Sequence, residues 1–378
     1  MRLVAVIIIL LLVSGVVIVQ LDQIETVSTF SAEVETLPRV ADDSQFARAY
    51  QVDPIVFPDD LGQHPDYKIE WWYYTGNLAD EQNNRYGFQL TFFRYGLKPG
   101  LAERESEWGT NQIYFAHFTV TDEAGQTFTF DERFSRGNPG LAGAQSKPYR
   151  VWLDDWQALE REPGQVQLVA QNDEIGLDLT IEPAKPAVLH GDRGFSKKGT
   201  TAGNASYYYS FTDNRARGVI TTPRGTFNVT GTVWKDHEWS TSGLGEGVVG
   251  WDWFSLALED GREVMYFFLR YEDNSIDPLS GGTVIYADGS SRELFLEDVS
   301  VTSLDTWTSP QSGATYPAAW QFAIPSENIE VEIRPLVPQQ ELRVSTAYWE
   351  GAVRITGSQE GYGYIEMTGY AGSMQGRL

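Results

Sequence analysis

The sequence contains no cysteine. That excludes a disulfide framework, a thiolate nucleophile, a cysteine-ligated metal and the lipid-modified cysteine of a bacterial lipoprotein anchor. Histidine is scarce, with four in 378 residues, and none falls in an HExxH or other close metal-ligand spacing. No GxSxG elbow is present, which counts against an α/β serine hydrolase, and no GxxxxGK[ST] or GxGxxG loop is available for nucleotides. Positive charge is also short: 28 Lys and Arg face 52 Asp and Glu, a net charge of −24 that repels nucleic acid and anionic lipid surfaces. Helical periodicity is nearly missing too; "DWQALERE", 155–162, is the best short candidate.

What is present suits two β-rich domains. Hydrophobic residues make up 42% and aromatics 13%, ample for real cores in a chain too long for one ordinary domain. One long hydrophobic run occurs, "LVAVIIILLLVSGVVIV" at 3–19, after Arg2 and before Asp22 and Glu25. It reads as a signal or membrane anchor over 1–21, uncleaved rather than removed, with the body exported beyond the cytoplasm. The membrane is then met only through this segment, and the polar residues 22–62 read as a tether.

From Ile69 onward the pattern is that of strands. "TFNVTGTVW" and "FTVTDEAGQTFTF" alternate or run β-branched and aromatic, punctuated by DEAG, EDGR and ADGS turns. Many short strands of this kind build a sandwich or a barrel. An internal repeat supports two related β-domains: "EWWYYTGNLADEQNNRYGFQLTFFRYG", 70–96, is echoed by "GWDWFSLALEDGREVMYFFLRYEDN", 250–274. The glycine-rich "TSGLGEGVVG", 241–250, is the natural joint, giving domains at 63–240 and 241–378.

"HPDYKIEWWYYTGNL", "FAHFTVTD", "HGDRGFSKKG", "WKDHEWS", "GWDWFSLALEDG" and "GYGYIEMTGY", in that order, resemble the AttH/CrtC family from about residue 60 to the C-terminus. That family joins AttH-like secreted proteins to carotenoid 1,2-hydratases. The resemblance implies two tandem lipocalin-like β-barrels. It also implies either an acid-catalysed hydro-lyase acting on an isoprenoid-like alkene, or a non-catalytic envelope carrier of lipid serving an ABC-type permease. A glycosidase-like hydrolase is a third reading, since paired acids with tryptophans suit sugars, but no acid pair can be placed at a defined separation. No cofactor and no metal is expected.

Hydration of an isolated alkene needs a strong acid in a water-poor cavity and aromatic faces for the cation that follows. In "GWDWFSLALED" strand alternation puts Asp252 on a face with Phe254, Leu256 and Leu258, and Trp251 and Trp253 on the other. An aspartate leading an apolar row is the candidate acid; a solvated or arginine-paired strand-end Asp is the plain alternative. In "WKDHEWS", Asp236 and Glu238 project one way, His237 and Trp239 the other. His237 and Trp239 match the family's motif, with Asp236 in reserve as the acid, and the expectation is that His237, Trp239 and Asp252 converge on one cavity. Trp251, Trp253, Glu70, Trp72 and Tyr74 are expected to contact the ligand. His117, sharing a face with Ile113 and Phe115, is expected to point into the barrel. The row Tyr362, Tyr364, Glu366, Thr368 and Tyr370 is expected at the interface between barrels, where tyrosine hydroxyls can satisfy the glutamate. His64 and His190 read as turn or salt-linked loop residues.

Overall fold

The computed structural model describes residues 43–101, 106 and 109–375, so the hydrophobic run at 3–19 lies outside it. The described residues belong to one compact unit. The architecture is all-β, 60% strand and 3% helical, which leaves no room for a helical layer. The "DWQALERE" stretch is part of a strand, Trp156–Glu162, rather than a helix. Among the described residues no helix is long and apolar enough to cross a membrane.

The two sheets follow the repeat. In each, the repeated segment forms an antiparallel hairpin: Ile69–Asp80 with Arg85–Gly96, and Val248–Leu258 with Glu263–Tyr271. The turns explain themselves locally. Asp80 accepts the backbone N–H groups of Gln82 and Asn84 while Asn83 takes a left-handed conformation; Gly261 does so in the second turn. The other edge of each leading strand pairs with a strand from late in its own half, Gly225–Ser240 in the first and Gly361–Met367 in the second. The first sheet has 13 strands and nearly closes into a barrel; the second has 10 and forms a half-barrel. The 13-stranded sheet spans Ile69–Ser240 and the 10-stranded one starts at Val248. The glycine-rich joint therefore connects them.

Alternation sends one face of each strand to its own core. Trp72, Tyr74, Leu90, Phe118, Trp156 and Val233 fill the first barrel. Phe254, Tyr266, Trp320, Phe322, Ile333 and Trp349 fill the second. The outward faces of the leading strands meet each other in a third apolar layer that includes Tyr73, Tyr208, Trp234, Trp253 and Phe267.

The later part of the expected tether is not free chain. Phe46 and Ala49 are buried, and Ile55 and Leu61 pack against Tyr207, Tyr209 and Trp239. The Trp72 indole N–H donates to the Leu61 carbonyl at 3.1 Å. Residues 43–62 thus plug one end of the first barrel, taking the rings of Tyr207, Tyr209 and Trp239 out of water.

The sheets come into close contact at Gly87, where a Cβ would lie 2.3 Å from the Ala352 Cβ. Gly87→Leu should therefore wedge the two sheets apart and cost about 1–3 kcal/mol in urea unfolding. An unchanged midpoint would mean that the sheets are not close-packed there.

Candidate functional site

The strand carrying "WKDHEWS" has two working faces. His237 and Trp239 turn into the first barrel; Asp236 and Glu238 turn out toward the second sheet. On the inner face, Glu70 is the hub. Its Oε1 accepts from His64 Nδ1 at 2.7 Å and His237 Nε2 at 2.8 Å, and its Oε2 accepts from Arg94 Nε at 2.7 Å and the His64 backbone N–H at 2.9 Å. Burial works against the charge on Glu70, but Arg94, His64 and His237 hold its pKa well below the usual carboxylate range. Burial lowers His237 to about 4, so its imidazole is neutral, donating to Glu70 and accepting the Tyr209 hydroxyl at 2.9 Å. His64 stacks on Trp239 at 3.8 Å between ring centres and bonds Asp60 from its other nitrogen at 3.2 Å.

His64, Glu70 and His237 bring three potential ligand atoms within 4.8 Å of one another, although no sequence spacing announced them. The chemistry of the set does not suit a dication. A guanidinium already sits on the same carboxylate, and both carboxylate oxygens are filled by N–H donors. The cluster instead clamps the plug segment to the barrel through His64. Trp72 and Tyr74 lie on this inner face as core; Tyr74 shares a short hydroxyl contact with Tyr149.

Asp252 occupies the corresponding inner face of the second sheet. It accepts from Arg270 Nε at 2.8 Å and the Tyr370 hydroxyl at 2.9 Å, and is buried. Glu70–Arg94 and Asp252–Arg270 are acid–arginine pairs on the inner faces of the two repeated hairpins, the first directly cross-strand and the second offset, since Arg270 stands opposite Gly250. The expected convergence of His237, Trp239 and Asp252 is therefore corrected: the first two face one core and the third faces the other. His117 is corrected as well. It points out of the barrel, bonding Glu132 at 2.9 Å and Tyr348 of the second sheet at 2.5 Å.

A cavity of about 130 Å³ opens where the outward faces meet. Trp71, Tyr73 and Tyr208 of the first sheet and Trp251, Trp253 and Phe267 of the second wall it with aromatic rings. Four carboxyl residues line it: Asp236, Glu238, Glu350 and Glu366. Glu238 is matched by Lys198 at 3.0 Å. Among the described residues, Asp236 has no cationic partner. It accepts instead from the Trp234 indole at 2.6 Å, the Tyr208 hydroxyl at 2.9 Å and the Ser210 hydroxyl. Burial pushes Asp236 up to about 7 against these three donors, with Glu238 adding repulsion. Ser210 is backed by His190, 2.7 Å away, whose burial drops its pKa to about 3 and keeps it neutral.

Of the expected ligand contacts, Trp251 and Trp253 line this cavity, as does the reserve acid Asp236. Glu366 also lines it, and its neighbours Tyr362 and Tyr364 meet the first sheet through Arg85 and Thr119. Tyr370 turns inward to Asp252. Glu350, Tyr208 and Lys198 were not anticipated. The available signal for Glu350 was a lone acid between Trp349 and Gly351 in an apolar strand; for Tyr208, alternation within the run 207–209.

The family model described as AttH-like matches residues 48–370. A protein of Nitrosomonas europaea assigned as AttH, solved at 2.00 Å, is 34% identical with a TM-score of 0.78, over 86% of this chain and 99% of that one. Kievitone hydratase of Nectria haematococca is 14% identical with a TM-score of 0.64, over 88% of this chain and 97% of that one; it shares the fold. No curated protein matches the chain.

Buried carboxyls with raised pKa values make folding pH-dependent with a defined sign. Glu366 is pushed up to about 8, chiefly by burial, so the folded protein holds a proton that the unfolded chain releases near 4.5. The stabilisation is complete below about pH 4 and is lost as pH rises through 8. Glu366→Gln should flatten the decline of the melting temperature between pH 5 and pH 8 in this chain; an unchanged slope would remove Glu366 as its source.

Proposed function

The chain belongs to the AttH-like family, and on that premise we propose that it binds a small apolar ligand between its two sheets and adds water to, or removes it from, an alkene there. The observation that carries this reading is Asp236: a buried carboxyl in an aromatic cavity, with a pKa near 7 and three donors but no cation. Both protonation states are then populated at neutral pH, as a general acid–base requires.

The steps follow from the residues. Protonated Asp236 gives its proton to the alkene, which becomes a carbocation and leaves a carboxylate. Tyr208, Trp234 and Ser210 stabilise that carboxylate, while the faces of Trp251 and Trp253 stabilise the cation without attacking it. Water adds to the cation and returns its extra proton to Asp236, so the acid is regenerated. Kievitone hydratase, which shares the fold, is a hydratase by name.

Size bounds the ligand. An enclosed apolar cavity of roughly 150 Å³ holds benzene, so the space of about 130 Å³ here takes a ring or one isoprene unit, and a longer chain extends through the cavity's open side. A carotenoid would insert only its end. The segment at 3–19 supports placing the protein at the cell envelope with its body outside the cytoplasm.

The test is mass spectrometry of ligands co-purified with the full chain, followed by turnover of that ligand class. Asp236→Asn should leave binding within about twofold but reduce turnover by 100-fold or more, roughly the value of a general acid. Unreduced turnover would rule out Asp236. A bound apolar ligand with no water gained or lost in either protein would favour the non-catalytic carrier.

A further inference from the structure

The cavity has a second acidic corner that the hydration chemistry does not use. Glu350 and Glu366 are direct cross-strand partners on Ala347–Gly357 and Gly361–Met367, which places their Cβ atoms about 5 Å apart on one face. Neither has an ion pair among the described residues. Glu350 is fully buried; its Oε2 accepts the Tyr73 hydroxyl at 2.9 Å, and its Oε1 has no hydrogen-bond partner. Trp253 is the cross-strand partner of Glu366 on the other side and meets the Tyr73 ring edge-on at 5.2 Å. Lys198, the basic side chain in the lining, is already held by Glu238.

We propose that this corner is a subsite for the ammonium group of an apolar amine, held by Glu350 and Glu366 and by the faces of Trp251 and Trp253. The proposal rests on reading the cavity as a ligand site, but not on Asp236 acting as an acid. Two adjacent carboxyls without a cation, Glu350 fully buried and Glu366 half-buried, are an unresolved electrostatic cost. A neutral alcohol would satisfy the free Glu350 oxygen yet leave both carboxyls protonated. An ammonium group satisfies that oxygen, lets the carboxyls ionise and gains the attraction of the tryptophan rings. The amine's hydrocarbon part then lies along Tyr208 and Phe267, toward Asp236.

The matched probes are geranylamine and geraniol, titrated calorimetrically into the purified full chain. Geranylamine should bind about thirtyfold tighter than geraniol at pH 7, the equivalent of a desolvated cation–π contact. Its affinity should fall as pH is lowered from 8 to 5, because the carboxyls then keep their protons, while that of geraniol stays level. Glu350→Gln and Glu366→Gln should each erase most of the preference. Should either variant fail to fold, the same pH series on Asp236→Asn decides the question, because Asp236 is the other lining carboxyl that ionises in this range: the fall in geranylamine affinity must persist there, and its loss would overturn the subsite. Equal binding of the two probes, or a preference that survives both substitutions, would overturn the subsite and leave the cavity standing as an apolar site. Binding of neither would overturn both.

Discussion

The two-residue period of the β-strand is the constraint from which this molecule's organisation follows. On the leading strand of each half, one set of side chains builds its own core and the interleaved set builds the contact with the other half. Trp72 and Tyr74 are core, whereas Trp71 and Tyr73 line the cavity between sheets. Phe254 is core and Trp253 lines the cavity. A one-residue slip in either hairpin would exchange the two sets and remove the cavity along with the core. The site is therefore not an addition to the fold. It is the space left where two outward faces, both rich in tryptophan and tyrosine, cannot interdigitate fully.

The same physics sorts the acids of the molecule by the partners that reach them. Glu70 and Asp252 each sit inside a barrel, where an unpaired charge would be prohibitive, and each has an arginine. Arg94 holds Glu70 low, whereas burial raises Asp252 even beside Arg270 and raises Asp236, Glu350 and Glu366, which have no ion pair among the described residues. Among these, the number of donors sets the rank. Asp236, with three, titrates near neutrality; Glu350, with the Tyr73 hydroxyl alone, is driven well above the ordinary range. One side-chain type thus does different work according to which partners reach it.

Much of this was legible in the sequence. The strands, the repeat at 70–96 and 250–274 and the joint near 241–250 follow from alternation and turn residues, which act locally. Alternation also grouped Trp251 with Trp253 and Asp236 with Glu238 correctly. What it cannot supply is which group faces which neighbour. "GWDWF" reads equally well with Asp252 toward a ligand or toward a core arginine, and the arginine lies 18 residues away. The repeat itself held part of the clue: Arg94 and Arg270 stand at matching places near the end of the second strand of each hairpin, and each takes an inward acid of the strand before it, Glu70 or Asp252. The plug was illegible for a different reason: the apolar residues of 43–62, such as Phe46, Ala49, Ile55 and Leu61, follow neither the strand nor the helix period, and their partners lie far along the chain.

Because the cavity is shared, it exists only while the halves are docked. Its walls are held by bonds that cross between sheets: the Trp253 indole to the Tyr208 hydroxyl at 3.2 Å, Tyr73 to Glu350, and His190 to Thr283 at 2.9 Å. Lys185 to Glu263 at 2.7 Å adds a largely buried ion pair, and Arg354 to Glu123 at 2.7 Å fastens a more exposed part of the contact. A ligand that binds the docked form must stabilise docking to the same extent, by linkage. Asp236 shows how close the coupling is. One of its donors, Tyr208, also receives the Trp253 N–H from the second sheet, and Ser210 leans on His190, which reaches Thr283. Separation of the sheets would expose Asp236 to water and return its pKa toward that of an ordinary aspartate. The acid is an acid at neutral pH only because the two halves of the chain are packed together.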